Sequence, residues 1–465
     1  SLAVLAGCNR SIQPGSNSTT LTDTHAKSEV SFWLTKGDSS ALLQRQNTSL
    51  NFTNSTNSNP IIDVDPDQRF QEIDGFGYTL TGGSATLINS LDADRKDALM
   101  KELFSRDGSG IGINYIRLSI GGSDLSAEPF TYNDLPENQT DVNLERFSLE
   151  REKADLLPVL KKIVAINPDI KILGSPWSAP KWMKTNKSFI GGSLKPEYYD
   201  VYANYFVKYI QAMKAEGITI DAVTIQNEPL HPGNNPSMYM EAKDQAEFIK
   251  NHLGPAFAKA NIKTKIIIYN HNLDKPEYPI SILNDDEARK YIDGSAFHLY
   301  AGEINTLSKV HFAHPDKNVY FTEQWIGGPG NFAEDLKWHV STLIVGATRN
   351  WGRNVLEWNL AADPNYQPHT DQGGCTSCLG ALTIGGQTVK RNTAYYVIGH
   401  ASKFVPAGSV RIQSNVPGNL QNVAFKTPDG KIVLVVVNIG GNSQAFNIKY
   451  NGKIVTANLD QGAVG

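Results

Sequence analysis

The chain has 465 residues, a formal net charge of −4 at pH 7 and a sequence pI of about 6.2. This length exceeds the size at which one hydrophobic core usually stops growing, so it predicts a large domain with a smaller companion. The slightly acidic balance, without a basic stripe, argues against a nucleic-acid partner. The 7 Trp and 18 Tyr residues are compatible with sugar binding, although aromatic side chains more often belong to the core.

The chain opens with the apolar segment SLAVLAGC, which is far too short to span a bilayer. Its last residues, Leu5-Ala6-Gly7-Cys8, resemble the cleavage box of a bacterial lipoprotein signal peptide, in which the cysteine receives the lipid. We therefore expect residues 1–8 to be a partial signal and Cys8 to anchor the protein in the bacterial cell envelope, at the cell surface or facing the periplasm. The alternative is a chance cysteine in an unstructured tail.

Both ends of the chain outside this signal have a distinct pattern. Residues 9–27 are rich in Ser, Thr, Asn and Gln, which is typical of a tether. Residues 28–66 contain short β-like runs that are too few to close a sheet, whereas residues 404–465 contain five further runs, with Pro428-Asp429-Gly430 as a hairpin turn. The two segments together predict a small β-sandwich.

Residues 67–403 alternate between strand-like and helix-like patterns, which indicates βα units around a parallel sheet. Eight strands are predicted, which is the number that closes a barrel. They are expected near residues 71–77, 113–119, 170–175, 221–226, 265–269, 294–298, 318–322 and 354–358. The predicted fold class is therefore α/β, a (β/α)8 TIM barrel with a small β-sandwich domain.

Two helices of the barrel have clear boundaries in the sequence. The helix after the third strand is expected between Pro196 and Gly217, with an apolar face formed by Tyr202, Tyr205, Phe206, Tyr209 and Met213. The next helix is expected to begin with Asn235 as its cap and Pro236 at its first position, and to end before Gly254-Pro255.

Two strands end in a glutamate. One apolar run begins at Asp221 and ends at Asn227 and Glu228, and another run, residues 318–322, leads directly into Glu323. Burying a glutamate at the end of an apolar strand costs free energy, so a glutamate at such a place is expected to have a function. Because the strands of a parallel barrel converge on one mouth, these carboxyl groups can face each other at about 5 Å, the geometry of retaining glycoside hydrolysis.

The other predicted strand ends also carry polar and aromatic residues. The candidates for substrate binding are Arg117, Asp124, Trp177, Asn227, His298, Tyr300, Trp325 and Trp358. Each has a structural alternative. Arg117 could simply pair with Glu323, the tryptophans could belong to the core, and His298 could be a satisfied structural histidine.

The remaining cysteines, Cys375 and Cys378, lie in the segment GGCTSCLG. A structural zinc site needs four ligands, and no second Cys pair or suitably spaced His pair accompanies this one. A disulfide that stiffens an exposed loop fits an exported protein better, so we predict no metal site.

Seven motifs occur in order: Gly75-Phe76-Gly77, Arg117 followed by SDLS, SPWSAPKWMK, TIQNEP, FHLY, YFTEQW and LEWNLA. Together they resemble glycoside hydrolase family 30, the glucosylceramidase-like retaining β-glycosidases. The resemblance implies a sandwich beside a (β/α)8 barrel, Glu228 as acid/base, Glu323 as nucleophile, and Asn227 as the residue that holds the sugar 2-OH. It also implies that Trp177, Trp358, Tyr300, His298 and Arg117 line the first sugar subsite, and that no cofactor is needed.

One departure from the family pattern bears on the substrate. In glucosylceramidases an acidic residue that binds sugar hydroxyls follows the GFG motif, whereas here Gly82 stands at that place. The insert after the eighth strand looks more like the β-1,6-glucanase branch. We therefore expect a monomeric endo-β-1,6-glucanase acting on an oligo- or polysaccharide. The alternatives are a glucosylceramidase, an exo-acting β-glucosidase or β-xylosidase, and an inactive carbohydrate-binding surface lipoprotein.

Overall fold

The structure, a computed structural model, describes residues 27–465. Residues 1–26, which include Cys8 and nearly all of the predicted tether, lie outside the described part of the chain. No helix within residues 27–465 is both long enough and apolar enough to cross a membrane.

Eight parallel strands close into a barrel in which each strand pairs with the next along the chain and the last pairs with the first. The strands are Gly75–Thr79, Tyr115–Ile120, Lys171–Pro176, Ala222–Thr224, Lys265–Asn272, Ile292–His298, Asn318–Glu323 and Gly352–Asn359. The predicted TIM barrel is confirmed. The first strand begins later than predicted, because residues 71 and 72 belong to a strand of the other domain, and the fifth strand runs three residues past its predicted end.

Helices of varied length surround the barrel. The α-helices are Gly82–Asn89, Ala93–Phe104, Leu156–Ile166, Tyr199–Ala215, Ala242–Phe248, Gly254–Lys259, Glu277–Leu283, Asp286–Arg289, Thr306–Ala313, Phe332–His339 and Thr393–Ser402. Wider π-helical turns occupy Ile249–Leu253 and Val340–Ala347, and 3₁₀ turns occupy Glu150–Lys153, Lys181–Met183 and Pro196–Tyr198. The five residues of the predicted apolar face in Tyr199–Ala215 are all buried.

The predicted boundaries of the following helix are wrong at both ends. The helix begins at Ala242 rather than at Pro236, because the preceding loop is held by other loops: Ser237 N–H donates to the Phe189 carbonyl at 2.8 Å. It also does not stop at Gly254, where a Cβ would lie 2.4 Å from the Tyr291 ring. That glycine therefore serves close packing rather than helix termination.

One layer of side chains fills the barrel interior. Strands two to eight each contribute one buried residue to it: Tyr115, Leu173, Ala222, Ile267, Ala296, Tyr320 and Leu356. The first strand contributes Gly77, at which a Cβ would lie 1.7 Å from the Tyr115 carbonyl oxygen. The barrel is thus a packed core, and residues further along each strand are left to form the mouth.

The second domain contains a six-stranded sheet built from both ends of the described chain. Its order is Ile432–Asn438, Leu420–Lys426, Val410–Ser414, Ile61–Glu72, Gln444–Tyr450 and Lys453–Leu459. The long strand Ile61–Glu72 joins the two halves, since its start pairs with residues 447–449 and its remainder with residues 410–414. The predicted association of the two terminal segments is confirmed, although this strand extends to Glu72 and not to residue 66.

Several short strands complete the structure. Trp33–Leu34 pairs with Gln44–Arg45, and Leu34 packs into the core of the sandwich. After the eighth barrel strand, Ala361–Ala362, Leu382–Gly385 and Thr388–Arg391 form a small sheet. Cys378–Leu379 pairs with Ile326–Gly327 and so ties this insert to the loop that follows Glu323.

Candidate active site

Glu228 and Glu323 face each other at the carboxyl ends of the barrel strands. Glu323 is the last residue of the seventh strand, and Glu228 follows the short fourth strand. One carboxylate oxygen of each glutamate and a ring nitrogen of His298 lie within 4.8 Å of one another. This separation matches the roughly 5 Å of retaining glycosidases and is shorter than the 6.5–9.5 Å of inverting enzymes.

Both oxygens of Glu323 accept hydrogen bonds. Arg117 Nη1 donates to Oε2 at 2.7 Å, and the Tyr300 hydroxyl donates to Oε1 at 3.0 Å. Burial of the hydroxyl and the neighbouring carboxylates raise the pKa of Tyr300 well above its usual value, so this group keeps its proton and remains a donor. The two bonds fix the orientation of the Glu323 carboxylate.

Arg117 connects three parts of the site. It is fully buried, its Nη2 donates to Asn227 Oδ1 at 2.6 Å, and its guanidinium carbon lies 4.7 Å from the centre of the Trp177 ring. Arg117 therefore does more than pair with Glu323, which was the structural alternative. The residue holds the nucleophile candidate and the neighbour of Glu228 in one frame.

Trp177 and Trp358 stack with their ring centres 5.6 Å apart. They are 1% and 4% exposed, so at most the edge of a ring can reach a sugar. The indole Nε1 of Trp177 is buried and has no hydrogen-bond partner among the described residues. Trp325 packs against the same cluster, and Tyr300 is 39% exposed, which makes it the most open of the predicted aromatic contacts.

Asp124 is attached to the insert that follows the eighth strand. Its Oδ2 accepts a hydrogen bond of 3.1 Å from the backbone N–H of Cys375, which forms a disulfide with Cys378. Burial, followed by the charges of Glu323 and Glu228, raises the pKa of Asp124 to about 7, against the lowering effect of the Cys375 N–H. The insert therefore holds this carboxyl beside the two glutamates.

His298 lies between the two glutamates. Its Nδ1 is 3.3 Å from Glu228 Oε2 and its Nε2 is 4.0 Å from Glu323 Oε2. The other ring contact of Nε2 is with Asn270 Oδ1 at 2.9 Å. This placement favours a functional histidine over a purely structural one.

Two residues of this site, Asn270 and His271, were not predicted from the sequence. Asn270 contacts side chains of four neighbouring strands, and His271 Nε2 lies 3.6 Å from Glu228 Oε2. The fifth strand was predicted to end at residue 269, but it continues to Asn272. Its polar ending, Asn270-His271-Asn272, is the same signal that identified the other strand ends and could have been used.

Among residues 27–465, the one acidic and histidine group tight enough to hold a metal ion is Glu228, His298 and Glu323. These are the candidate catalytic residues themselves. Arg117 already brings a positive charge to 2.7 Å from Glu323, and this charge opposes a bound cation. The arrangement suits acid–base and nucleophilic chemistry better than metal binding.

Comparisons with known proteins agree with this geometry. The model of the glycosyl hydrolase family 30 TIM-barrel domain matches residues 73–405, and the model of the family's beta sandwich domain matches residues 408–465. The solved structure of the endo-beta1,6-glucanase BT3312 has a TM-score of 0.87 at 35% identity, and the match covers 94% of this chain and 98% of that one.

Two relatives represent different activities. The endo-1,6-beta-D-glucanase neg1 of Aspergillus fumigatus is 36% identical over 398 residues, which cover 80% of this chain and 79% of the relative. The lysosomal acid glucosylceramidase of Mus musculus is 30% identical over 413 residues, which cover 83% and 78% of the two chains. Since both family models match and together span residues 73–465 almost without a gap, the chain belongs to glycosyl hydrolase family 30 and is a glycoside hydrolase.

Proposed function

We propose that the protein is a retaining endo-β-1,6-glucanase in which Glu323 is the nucleophile and Glu228 the acid/base. The observation that carries the mechanism is the 4.8 Å limit on the distance between the two carboxylates, which leaves no room for an intervening water in the first step. Substrate choice rests on the relatives, because the two endo-1,6-beta-D-glucanases of A. fumigatus and Trichoderma harzianum are 36% and 34% identical to this chain.

In the first step, the Glu323 carboxylate attacks the anomeric carbon and protonated Glu228 donates its proton to the glycosidic oxygen. The bond between these two sugar atoms breaks, its electron pair stays on the departing oxygen, and a glycosyl ester of Glu323 remains. In the second step, Glu228 removes a proton from water, the water oxygen attacks the same carbon, and Glu323 leaves as a carboxylate. Two inversions give a product of retained configuration.

The surrounding residues position these groups. Arg117 and Tyr300 hold both oxygens of Glu323. Asn227, whose Oδ1 accepts from Arg117 Nη2 at 2.6 Å, binds the sugar 2-OH in this proposal. Asp124, Trp177, Trp325 and Trp358 complete the first subsite in this proposal. Gly82 offers no acceptor, and even a Cβ there would lie 3.0 Å from Ser126 Oγ, which supports a subsite different from that of a glucosylceramidase.

The function is tested by a product profile. Incubation with a β-1,6-glucan should give a ladder of oligosaccharides that begins before free glucose accumulates, while glucosylceramide, β-1,3-glucan and xylan should remain intact. Chromatography of timed samples measures both. Free glucose released from glucosylceramide at a comparable rate would reject the endo-β-1,6 assignment in favour of the exo-acting alternative. Absence of any hydrolysis, including that of an activated aryl β-gentiobioside, would favour an inactive binding protein.

The two glutamates should respond differently to replacement. Glu323→Gln removes the nucleophile, so turnover of every substrate should fall to background. Glu228→Gln removes the acid, and turnover of β-1,6-glucan should fall by about 10²–10⁴-fold, whereas an aryl glycoside with a good leaving group should lose far less. Steady-state kinetics on both substrates checks this, and parental rates on β-1,6-glucan in either variant would contradict the assignment.

Asp124→Asn should change stability in a pH-dependent way. The folded pKa of about 7 lies above the unfolded value of about 3.9, so ionisation opposes folding: the penalty is absent below about pH 4, grows up to pH 7 and is complete above it. The melting temperature of the variant should therefore lie several degrees above that of the parent at pH 8 and close to it at pH 4.5. Its kcat/KM should fall at least about 10-fold, because a buried carboxylate oxygen that accepts a hydrogen bond from a sugar hydroxyl is lost.

Differential scanning calorimetry at the two pH values measures this effect. Asp169→Asn, at an exposed aspartate, is the control for an acid-to-amide change at the surface. The same stability difference at both pH values would contradict the role given to burial at Asp124.

We also propose that Cys8 carries a lipid that holds the enzyme at the bacterial cell envelope, on the strength of the Leu5-Ala6-Gly7-Cys8 box. When the chain is expressed in a bacterium with a complete signal peptide, it should incorporate labelled palmitate and sediment with membranes. Cys8→Ser should do neither. Equal labelling of the two proteins would reject the anchor. The monomeric state stays a prediction.

A further inference from the structure

Two histidine rings converge on one oxygen of Glu228. His298 of the sixth strand places Nδ1 at 3.3 Å from Oε2, and His271 of the fifth strand places Nε2 at 3.6 Å from the same atom. Both rings are buried. The hydrogen bonds on the far side of each ring determine what it presents to the carboxyl group.

Asn270 fixes the tautomer of His298. The Asn270 amide nitrogen donates to Ser175 Oγ at 2.9 Å and to Thr224 Oγ1 at 3.0 Å, so its Oδ1 is left as an acceptor. That oxygen accepts from Thr322 Oγ1 at 2.8 Å and lies 2.9 Å from His298 Nε2. Nε2 therefore carries the proton, and Nδ1 turns a lone pair toward Glu228.

The backbone fixes the same Nε2–H tautomer at His271, but this ring turns its N–H rather than its lone pair toward Glu228. The N–H of Leu230 donates to His271 Nδ1 at 3.4 Å, so Nδ1 is the acceptor and Nε2 carries the proton. The Nε2–H of His271 faces Glu228 Oε2. Glu228 thus has a hydrogen-bond acceptor on one side and a donor on the other.

Both rings stay neutral over the range in which a glycosidase works. Burial is the main cause that lowers the pKa of His271 to about 4 and that of His298 to about 3, and the charges of Glu228 and Glu323 oppose it. The other titratable or charged groups that face this cluster from neighbouring elements are Arg117, Asp124, His231, Tyr269, Tyr300 and Glu323.

We propose that His271 and His298 are positioning residues that serve the two protonation states of Glu228 in turn. The lone pair on His298 Nδ1 accepts a hydrogen bond from protonated Glu228, and the N–H of His271 donates to the carboxylate left after proton transfer. The catalytic proton passes only between Glu228 and the substrate or water, and each histidine keeps its own proton. This inference rests on the proposed function and adds the residues that stabilise each form of the acid/base.

The same residue that orients His298 also holds the backbone of Glu228. The N–H of Glu228 donates to the Asn270 carbonyl at 3.1 Å, and Glu228 has a φ of 46°, a left-handed conformation that needs such support. Asn270 therefore sets the position of the carboxyl group and of the ring that accepts from it.

The test compares the alkaline limb of the kcat/KM profile, which reports loss of the proton from the acid. His271→Ala removes the donor to the carboxylate, so the limb should move to higher pH by about one unit. His298→Phe removes the acceptor for the proton, so the limb should move to lower pH. His271→Gln keeps an N–H donor and should return the limb toward the parental position.

A leaving-group series separates this role from a structural one. Losses in His271→Ala should be about 10-fold on aryl β-gentiobiosides with poor leaving groups, which need the proton, and much smaller on those with good ones. His314→Gln, at a surface histidine that contacts Asn284, is the matched control and should match the parent. Calorimetry checks that each variant is folded. If His298→Phe is unfolded, the two His271 variants alone decide the result.

Equal losses for all leaving groups, an unmoved limb in His271→Ala, or a shift in the same direction for both histidine variants would overturn the inference. Its failure is distinguishable from failure of the proposed function. If only this inference fails, the parent still hydrolyses the aryl gentiobiosides, and Glu228→Gln still loses most of its activity on those with poor leaving groups. If the proposed function fails, the parent itself does not hydrolyse the aryl gentiobioside.

Discussion

The site depends on a buried ion pair between Arg117 and Glu323, whose atoms Nη1 and Oε2 are 2.7 Å apart. Either charge alone would be costly to bury, and a pair offsets this cost only if its remaining donors and acceptors are satisfied. Here Arg117 Nη2 donates to Asn227 and the second carboxylate oxygen accepts from Tyr300, while Arg117 Nε has no hydrogen-bond partner within residues 27–465. Arg117 therefore connects the second strand with the nucleophile candidate on the seventh strand and with Asn227, the residue before Glu228.

Several ionisable groups lie around this pair at positions where burial disfavours their charged forms. Asp124 has a raised pKa, and His271 and His298 have lowered ones. Such groups reduce stability and are kept where activity needs them. Neutral rings beside a carboxyl that must gain and lose a proton avoid adding a second changing charge, which is a physical reason for histidines at these positions.

The sandwich and the insert after the eighth strand complete the site in different ways. The sandwich is joined to the barrel through the strand Ile61–Glu72, which runs almost directly into the first barrel strand. The insert reaches the site itself, because Cys375 donates to Asp124 and Cys378 packs with Trp177 and Trp358. The insert therefore contributes directly to the surroundings of Asp124, Trp177 and Trp358.

The sequence by itself determined the barrel, the terminal sandwich and the position of the two glutamates at strand ends. Apolar runs that end in polar residues are a local signal, and in a parallel barrel the ends of all such runs lie at the same mouth. It failed at Pro236 and Gly254, where contacts with distant loops and with Tyr291 decide the helix boundaries. Only the tertiary structure placed His271 and Asn270 against Glu228, since which ring nitrogen faces a carboxyl depends on hydrogen bonds from several strands that are far apart in the chain.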